Sequence, residues 1–375
     1  MTKIKFVLIL LVPAFILIRC SSSKTSNSKE LEKIDADDVN IKYLGRIDNS
    51  NPKSVKFAYP GIAIKARFEG TTCNIRLKNK SGGHDKENKP YTNYYNILID
   101  NKSPEVIVAD NNQEIYKLKK LSEGTHTITI FKRTEAFLGE GIFEGFELNK
   151  GKKLLPLEDE KKLKIEFIGN SITCGYGNEG KSKDEPFTSS TENNYLAYGA
   201  VTARKLNADY VAVAYSGKGM YKNFDGTTKE SMSLIYDRIF PDDKSSKWDF
   251  KKWQPDAVVI NLGTNDFAKS HPDSLIFVNT YVNFLKRIRI YYPNAYIFCI
   301  EGPMTNEKNA TLTQVKNYIN ASKAVLEKTG DKKIFSFFPT PQSESDCGSD
   351  FHPNTSRHAK MAEELTVFIK NKTGW

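Results

Sequence analysis

The chain has 375 residues, room for two ordinary domains and a sizeable core. Its 39% hydrophobic and 27% charged content is that of a water-soluble globular protein. The net charge of +10 comes from lysines scattered along the chain, with no block of five or six basic residues and no arginine-rich stripe. That pattern reads as a solvated surface with at most a weak attraction to acidic polymers, and it argues against nucleic acid as a partner.

Residues 1–20 read as an export signal. Lys3 and Lys5 form a charged start and Phe6 to Ile18 an apolar centre, too short to span a membrane comfortably. The run stops at Arg19-Cys20 before Ser21-Ser22-Ser23, which resembles a bacterial lipoprotein signal with Cys20 as the lipidation site. Arg19 departs from that pattern, which takes a small residue before the cysteine. The expected localisation is extracytoplasmic, at the cell envelope, with acyl chains as the only membrane contact. Residues 21–37 are rich in Ser, Lys, Asn, Asp and Glu and predict a flexible tether.

Residues 38–150 predict a β-sandwich. Ile62, Ile64, Ala66 and Phe68 alternate with Ala63, Lys65, Arg67 and Glu69, the period of a strand. Further strands are expected at Cys73–Leu77, Tyr95–Asp100, Glu105–Ala109, Glu114–Leu118, Thr125–Phe131 and Gly141–Leu148, around a polar loop at Lys78–Pro90. No catalytic constellation is visible there, so the domain is read as bracing its neighbour rather than binding sugar. Residues 151–162, charged and containing Pro156, read as a linker.

Residues 163–375 alternate strand and helix. Strands are expected at Leu163–Ile168, Asp209–Tyr215, Ala257–Leu262, Ala295–Ile300 and Lys333–Phe338, and helices at Tyr195–Leu206, Ser274–Tyr291, Thr311–Lys328 and Arg357–Lys370. Nearly continuous apolar strands predict a parallel sheet covered on both faces, a three-layer α/β/α domain. Function in such folds lies at the carboxyl ends of the strands.

Four polar segments would meet at that edge: the turn at Gly169-Asn170-Ser171, then Ser216-Gly217-Lys218-Gly219, Gly263-Thr264-Asn265-Asp266 and Asp350-Phe351-His352-Pro353. A serine hydroxyl needs a base within reach, and His352, with an ordinary pKa near ~6.5, suits that task. Asp350 is the nearest carboxylate to orient the ring. The N–H groups of Ser171 and Gly217 and the amide of Asn265 can supply an oxyanion hole. Each has a plainer reading: His352 as a loop residue before a helix, Asn265 as an Asx-turn residue, the Gly217 loop as a turn. His358 is read as a first-turn helix residue. The five cysteines and five histidines form no CxxC pair and no zinc-type cluster; His84 and His126 read as structural or exposed, and a Cys174–Cys347 disulfide is conceivable. Tyr176, Tyr221, Trp248 and Trp253 are candidates to shape a sugar site, more simply read as packing.

These segments resemble the four blocks of SGNH/GDSL-type hydrolases. The fuller resemblance is to the two-domain acetyl xylan esterases of carbohydrate esterase family two, whose small jelly-roll-like β-sandwich precedes the SGNH domain. It covers about Asn40 to the C-terminus. It implies a serine esterase that removes O-acetyl groups from xylan or glucomannan through an acetyl-serine intermediate, with no metal and no organic cofactor. Ser171 would be the nucleophile, Gly217 and Asn265 oxyanion donors, His352 the base and Asp350 its partner. Asn170 stands where the family usually has Asp, and the usual helper position three residues before the base is Ser349. Members of family two also include enzymes that use a backbone carbonyl in place of the helper carboxylate. The alternatives are an esterase for another acylated glycan and a non-catalytic glycan-binding surface lipoprotein.

Overall fold

The computed structural model of the protein describes residues 1–2, 30–158, 161–305 and 311–375. Most of the segment read as an export signal, Cys20, and residues 21–29 of the segment read as a tether lie outside these residues.

Among the described residues, eleven strands precede residue 160. They are β1 (Leu31–Asp35), β2 (Lys42–Leu44), β3 (Val55–Phe57), β4 (Ala63–Glu69), β5 (Cys73–Ser81), β6 (Asn93–Ile99), β7 (Glu105–Ala109), β8 (Ile115–Tyr116), β9 (Thr125–Lys132), β10 (Gly139–Asn149) and β11 (Leu154–Leu155). They form two antiparallel sheets. One runs β1-β10-β5-β8 with β3 also on β10, the other β11-β4-β9-β6-β7 with β2 on β4. The alternation in β4 works as expected: Ala66 and Phe68 are buried while Lys65, Arg67 and Glu69 are half-buried. The core between the sheets contains Phe57, Ile64, Phe68, Ile75, Tyr95, Ile128 and Phe146.

Two boundaries differ from the sequence reading. Leu31–Asp35, assigned to the tether, pairs along Asn149–Gly145. Leu154–Leu155, assigned to the linker, pairs with Phe68–Arg67. Both are short polar-flanked edge segments whose partners are distant in sequence, so no local periodicity marks them.

The second domain contains β12 (Leu163–Gly169), α1 (Ser171–Cys174), α2 (Tyr198–Lys205), β13 (Ala208–Ala214), α3 (Met232–Ile235), β14 (Ala257–Asn261), α4 (Ser274–Tyr291), β15 (Tyr296–Ile300), α5 (Thr311–Lys328), β16 (Ile334–Phe337) and α6 (Thr355–Thr373). The sheet order is β13-β12-β14-β15-β16, parallel throughout. Period two sends Phe167, Val259, Phe298 and Ile300 to the face covered by α2 and α6, packed with Tyr198, Met361 and Leu365. Ile168, Val258, Ile260 and Ile297 face the other side, with Phe277, Tyr281, Leu285 and Ile288 of α4 and Val315 and Ile319 of α5. Asp273 caps α4 by accepting from the Ile276 N–H at 2.9 Å.

The two domains are locked by charge as well as by contact. Arg46 is fully buried and donates to Glu166 Oε1 at 3.1 Å, while Tyr236 donates to Glu166 Oε2 at 2.6 Å. Lys42 pairs with Asp209 at 2.9 Å. These pairs fit the bracing role.

Candidate active site

The strand edge gathers the four loops. Ser171 opens α1 directly after β12, and Asn170 is its N-cap, accepting from the Ile172 N–H at 3.1 Å. An amide oxygen caps as well as a carboxylate, so asparagine keeps the capping role, while its buried Nδ2 has no hydrogen-bond partner among the described residues. The Tyr215 N–H donates to Gly169 O at 3.2 Å, tying the second loop to the first. Asn265 Nδ2 donates to Lys218 O at 2.9 Å, tying the third to the second. Ser349 N–H to Gly177 O at 2.9 Å and Thr355 N–H to Asn178 O at 3.0 Å fix the fourth.

His352 Nε2 lies 2.8 Å from Ser171 Oγ, and its Nδ1 lies 3.0 Å from the carbonyl oxygen of Asp350. A carbonyl only accepts, so Nδ1 carries the proton and Nε2 is left to accept from the serine hydroxyl. The ring is thus held in the tautomer that a base toward the Ser171 hydroxyl needs. Burial disfavours the imidazolium and pushes the His352 pKa down to about 4, against the opposing effect of the Asp350 carbonyl. The ordinary value expected from sequence does not hold here.

Asp350 meets the His352 ring through its main-chain carbonyl rather than through the carboxylate expected from the sequence. Its carboxylate does not bond to His352; it accepts from the Tyr176 hydroxyl at 3.0 Å and the Phe187 N–H at 3.1 Å. The reason is the backbone. Asp350 (φ 48) and Phe351 (φ 63) both adopt left-handed conformations, which turn the Asp350 carbonyl onto the ring and its side chain away. Two consecutive non-glycine residues in this region store strain, as is common at functional sites. Tyr176 stacks on Phe187 with centroids 4.0 Å apart and lies 4.4 Å from the His352 ring. Of the four aromatic candidates, Tyr176 thus lies against the His352 ring. Trp253 packs against the core of the second domain, and Trp248 lies beside Arg46.

Gly217 has φ +76, a conformation glycine adopts without penalty. Among the described residues its N–H has no hydrogen-bond partner. Asn265 keeps one amide hydrogen beyond the bond to Lys218. The Asp266 carboxylate holds the rest of the loop, accepting from the N–H groups of Met220 (2.8 Å), Tyr221 (2.7 Å) and Lys222 (2.8 Å). Burial raises its pKa to about 6, opposed by those same N–H groups. Asp266 lay within the quoted motif, but nothing local gave it this task.

His358 is buried in α6, where its Nδ1 accepts from the Tyr198 N–H at 3.1 Å. His126 is buried, its Nδ1 2.9 Å from Asp100. Cys174 and Cys347 are both free and buried, so the conceivable disulfide is not formed. One set of metal-ligand types converges among the described residues: Glu135, Cys174 and Glu192 within 4.8 Å. Both Glu135 oxygens already accept hydrogen bonds from Ser216, which makes the set a hydrogen-bonded network.

The carbohydrate esterase 2 N-terminal family matches residues 43–157, and the GDSL-like lipase/acylhydrolase family matches residues 167–360. Cellulase/esterase CelE from Acetivibrio thermocellus is 40% identical over 343 residues, 91% of this chain; the chain spans 40% of that protein's length. An acetylxylan esterase / glucomannan deacetylase from Cellvibrio japonicus is 27% identical over the full length of both chains. The structure of a family two carbohydrate esterase from Clostridium thermocellum in complex with cellohexaose is 38% identical, with a TM-score of 0.82, covering 89% of this chain and 99% of that one. In sequence, domain order and fold, the chain belongs to the GDSL-like acylhydrolases, in the two-domain form of the family two carbohydrate esterases.

Proposed function

We propose that this protein is a serine esterase that removes O-acetyl groups from plant polysaccharides such as xylan or glucomannan. The observation that carries this reading is the 2.8 Å contact between Ser171 Oγ and a His352 ring whose other nitrogen is held by a carbonyl. In the reading, Ser171 Oγ attacks the acetyl carbonyl carbon while Nε2 takes its proton. The carbonyl oxygen, now an anion, is met by the N–H groups of Ser171 and Gly217 and the Asn265 amide. Nε2 then returns the proton to the sugar oxygen as the C–O bond breaks, leaving acetyl-Ser171. Water, deprotonated by the same nitrogen, then attacks the acyl carbon; the bond from that carbon to Ser171 Oγ breaks, acetate leaves and Nε2 returns the proton to the serine oxygen.

A polymeric substrate is supported by two exposed rings on these loops, Phe224 (55% exposed) and Phe351 (54% exposed). Phe351 adjoins His352, and the Phe224 N–H donates to Gly217 O at 2.8 Å. Aromatic faces suit sugar rings, which present apolar C–H surfaces. Acetate release should be compared on acetylated xylan, acetylated glucomannan, acetylated pectin and a long-chain acyl ester. Preference for either of the first two is expected; preference for the long-chain ester would count against a carbohydrate substrate.

The pH profile follows from the depressed His352 pKa. The neutral ring is the working base, and burial keeps it neutral down to about pH 4. The acid limb of kcat/KM, which reports the free enzyme, is therefore expected near pH 4. An acid midpoint at or above pH ~6.5 would mean that the ring is not desolvated as described.

Asp350→Asn keeps the main-chain carbonyl and an acceptor for Tyr176. It is expected to reduce kcat less than about tenfold, far less than loss of an orienting carboxylate in a triad, about 10⁴-fold. A loss of that larger size would give the carboxylate the orienting role after all.

The same reading includes export and anchoring through lipidated Cys20. Cys20→Ser is then expected to shift the protein from membranes to the soluble fraction; unchanged membrane recovery would remove the anchor.

A further inference from the structure

The β domain sets the Glu135 side chain against the loop that carries Gly217. We propose that Glu135 is a positioning residue of the hydrolytic site, fixing the oxyanion donor Gly217 by accepting from both the N–H and the hydroxyl of Ser216. The inference rests on the ester-hydrolase reading above.

The Ser216 N–H donates to Glu135 Oε2 at 2.7 Å, and the Ser216 hydroxyl donates to Oε1. Two contacts to one carboxylate set both the position and the rotation of the residue bonded to Gly217. Glu135 is itself fully buried, and its N–H donates to Glu192 Oε2 at 3.0 Å. The strap that carries it, residues 132–135, is tied down on both sides. The buried Lys132 ammonium donates to the carbonyls of Thr134 (2.7 Å) and Glu135 (3.1 Å). The Thr134 hydroxyl donates to Asn93 Oδ1 at 2.7 Å within the β domain, and the Asn194 N–H donates to Arg133 O at 2.9 Å from the hydrolase domain.

On its other side the Gly217 loop is held by Asp266 through residues 220–222. The oxyanion loop thus lies between two carboxylate anchors, one from each domain. Burying a carboxylate is unfavourable unless its oxygens are matched. Burial raises the pKa of both Glu135 and Glu192, and the Ser216 hydrogen bonds oppose the rise at Glu135. Adhesion between the domains is already supplied by the Arg46–Glu166 and Lys42–Asp209 pairs. Both oxygens of Glu135 go instead to the residue beside an oxyanion donor. Preorganised donors matter most to the transition state, so misplacing Gly217 should lower kcat more than it raises KM.

The test measures kcat, KM and thermal unfolding with a small acetyl ester. Glu135→Ala is expected to lower kcat about 10- to 10²-fold, the scale of an ångström-level misplacement, with KM within about threefold. Glu135→Gln should retain most activity, because its amide oxygen can accept from the Ser216 N–H while its amide N–H donates to the hydroxyl. Ser216→Ala keeps the N–H contact and should lose less than Glu135→Ala, and the double variant should be no worse than Glu135→Ala alone. Asp209→Asn loosens the domain boundary at the opposite end of β13 and should cost stability without lowering kcat. A Glu135→Ala kcat within about twofold of wild type, a loss confined to KM, or an equal kcat loss in Asp209→Asn overturns the proposal. Where Glu135→Ala does not fold, Ser216→Ala decides, and an unchanged kcat there overturns it. Absence of ester turnover in the wild-type protein would overturn the hydrolase reading itself.

Discussion

Ser171→Ala is expected to lower kcat for acetyl esters by about 10⁴- to 10⁶-fold, with the protein still folded. In the proposed mechanism the serine oxygen bonds to the acetyl carbon, and no second hydroxyl is paired with His352 Nε2 among the described residues. His352→Ala should fall by a similar amount, because an un-ionised serine is a poor nucleophile without its base. The two act as one unit, so the double variant should be little worse than either single one. Additive losses would mean that serine and histidine act in separate steps. Fold integrity is checked by thermal unfolding: Ser171 contributes a single hydroxyl at a strand edge, and its removal leaves the two hydrophobic cores of the hydrolase domain untouched.

Asn265→Ala should lower kcat by about 10²- to 10³-fold, equivalent to about 2.7–4 kcal/mol of transition-state stabilisation. The loss should appear in kcat, because the amide meets the oxygen only once it carries charge. The bond from Asn265 Nδ2 to Lys218 O is lost as well, at a stability cost of about 1 kcal/mol. Asp266 continues to hold residues 220–222, so the loop keeps most of its shape. A kcat equal to wild type would exclude Asn265 from the oxyanion hole.

The hydrolase domain was readable because its strands are apolar on both faces and its long helices carry clear stripes and caps. The helices at Ser274–Tyr291 and Thr311–Lys328 have the boundaries that the pattern predicts. The helix at Tyr195–Leu206 is shorter, because Asn194–Leu196 forms a 3-10 turn before α2 begins at Tyr198. In the β domain the long central strands were legible, while β1, β2, β3 and β11 were not. Each is two to five residues long and defined by its pairing partner rather than by its own sequence. At the site, every loop that follows a strand could be found from the strand. The choice between the Asp350 carboxylate and a backbone carbonyl stayed open in the sequence, because spacing alone favours the carboxylate and an Asp-Phe pair gives no sign of two left-handed residues in a row. Glu135 was invisible for a different reason. Lys132-Arg133-Thr134-Glu135 looks like a charged turn, and its partner Ser216 lies 81 residues away in the other domain.

The most direct measurement is acetate release from acetylated xylan at neutral pH by the purified protein, beside its folded Ser171→Ala variant. Release by the wild type that disappears in the variant is the result expected of a serine acetyl esterase built on Ser171 and His352. Release by both, or by neither, would contradict it.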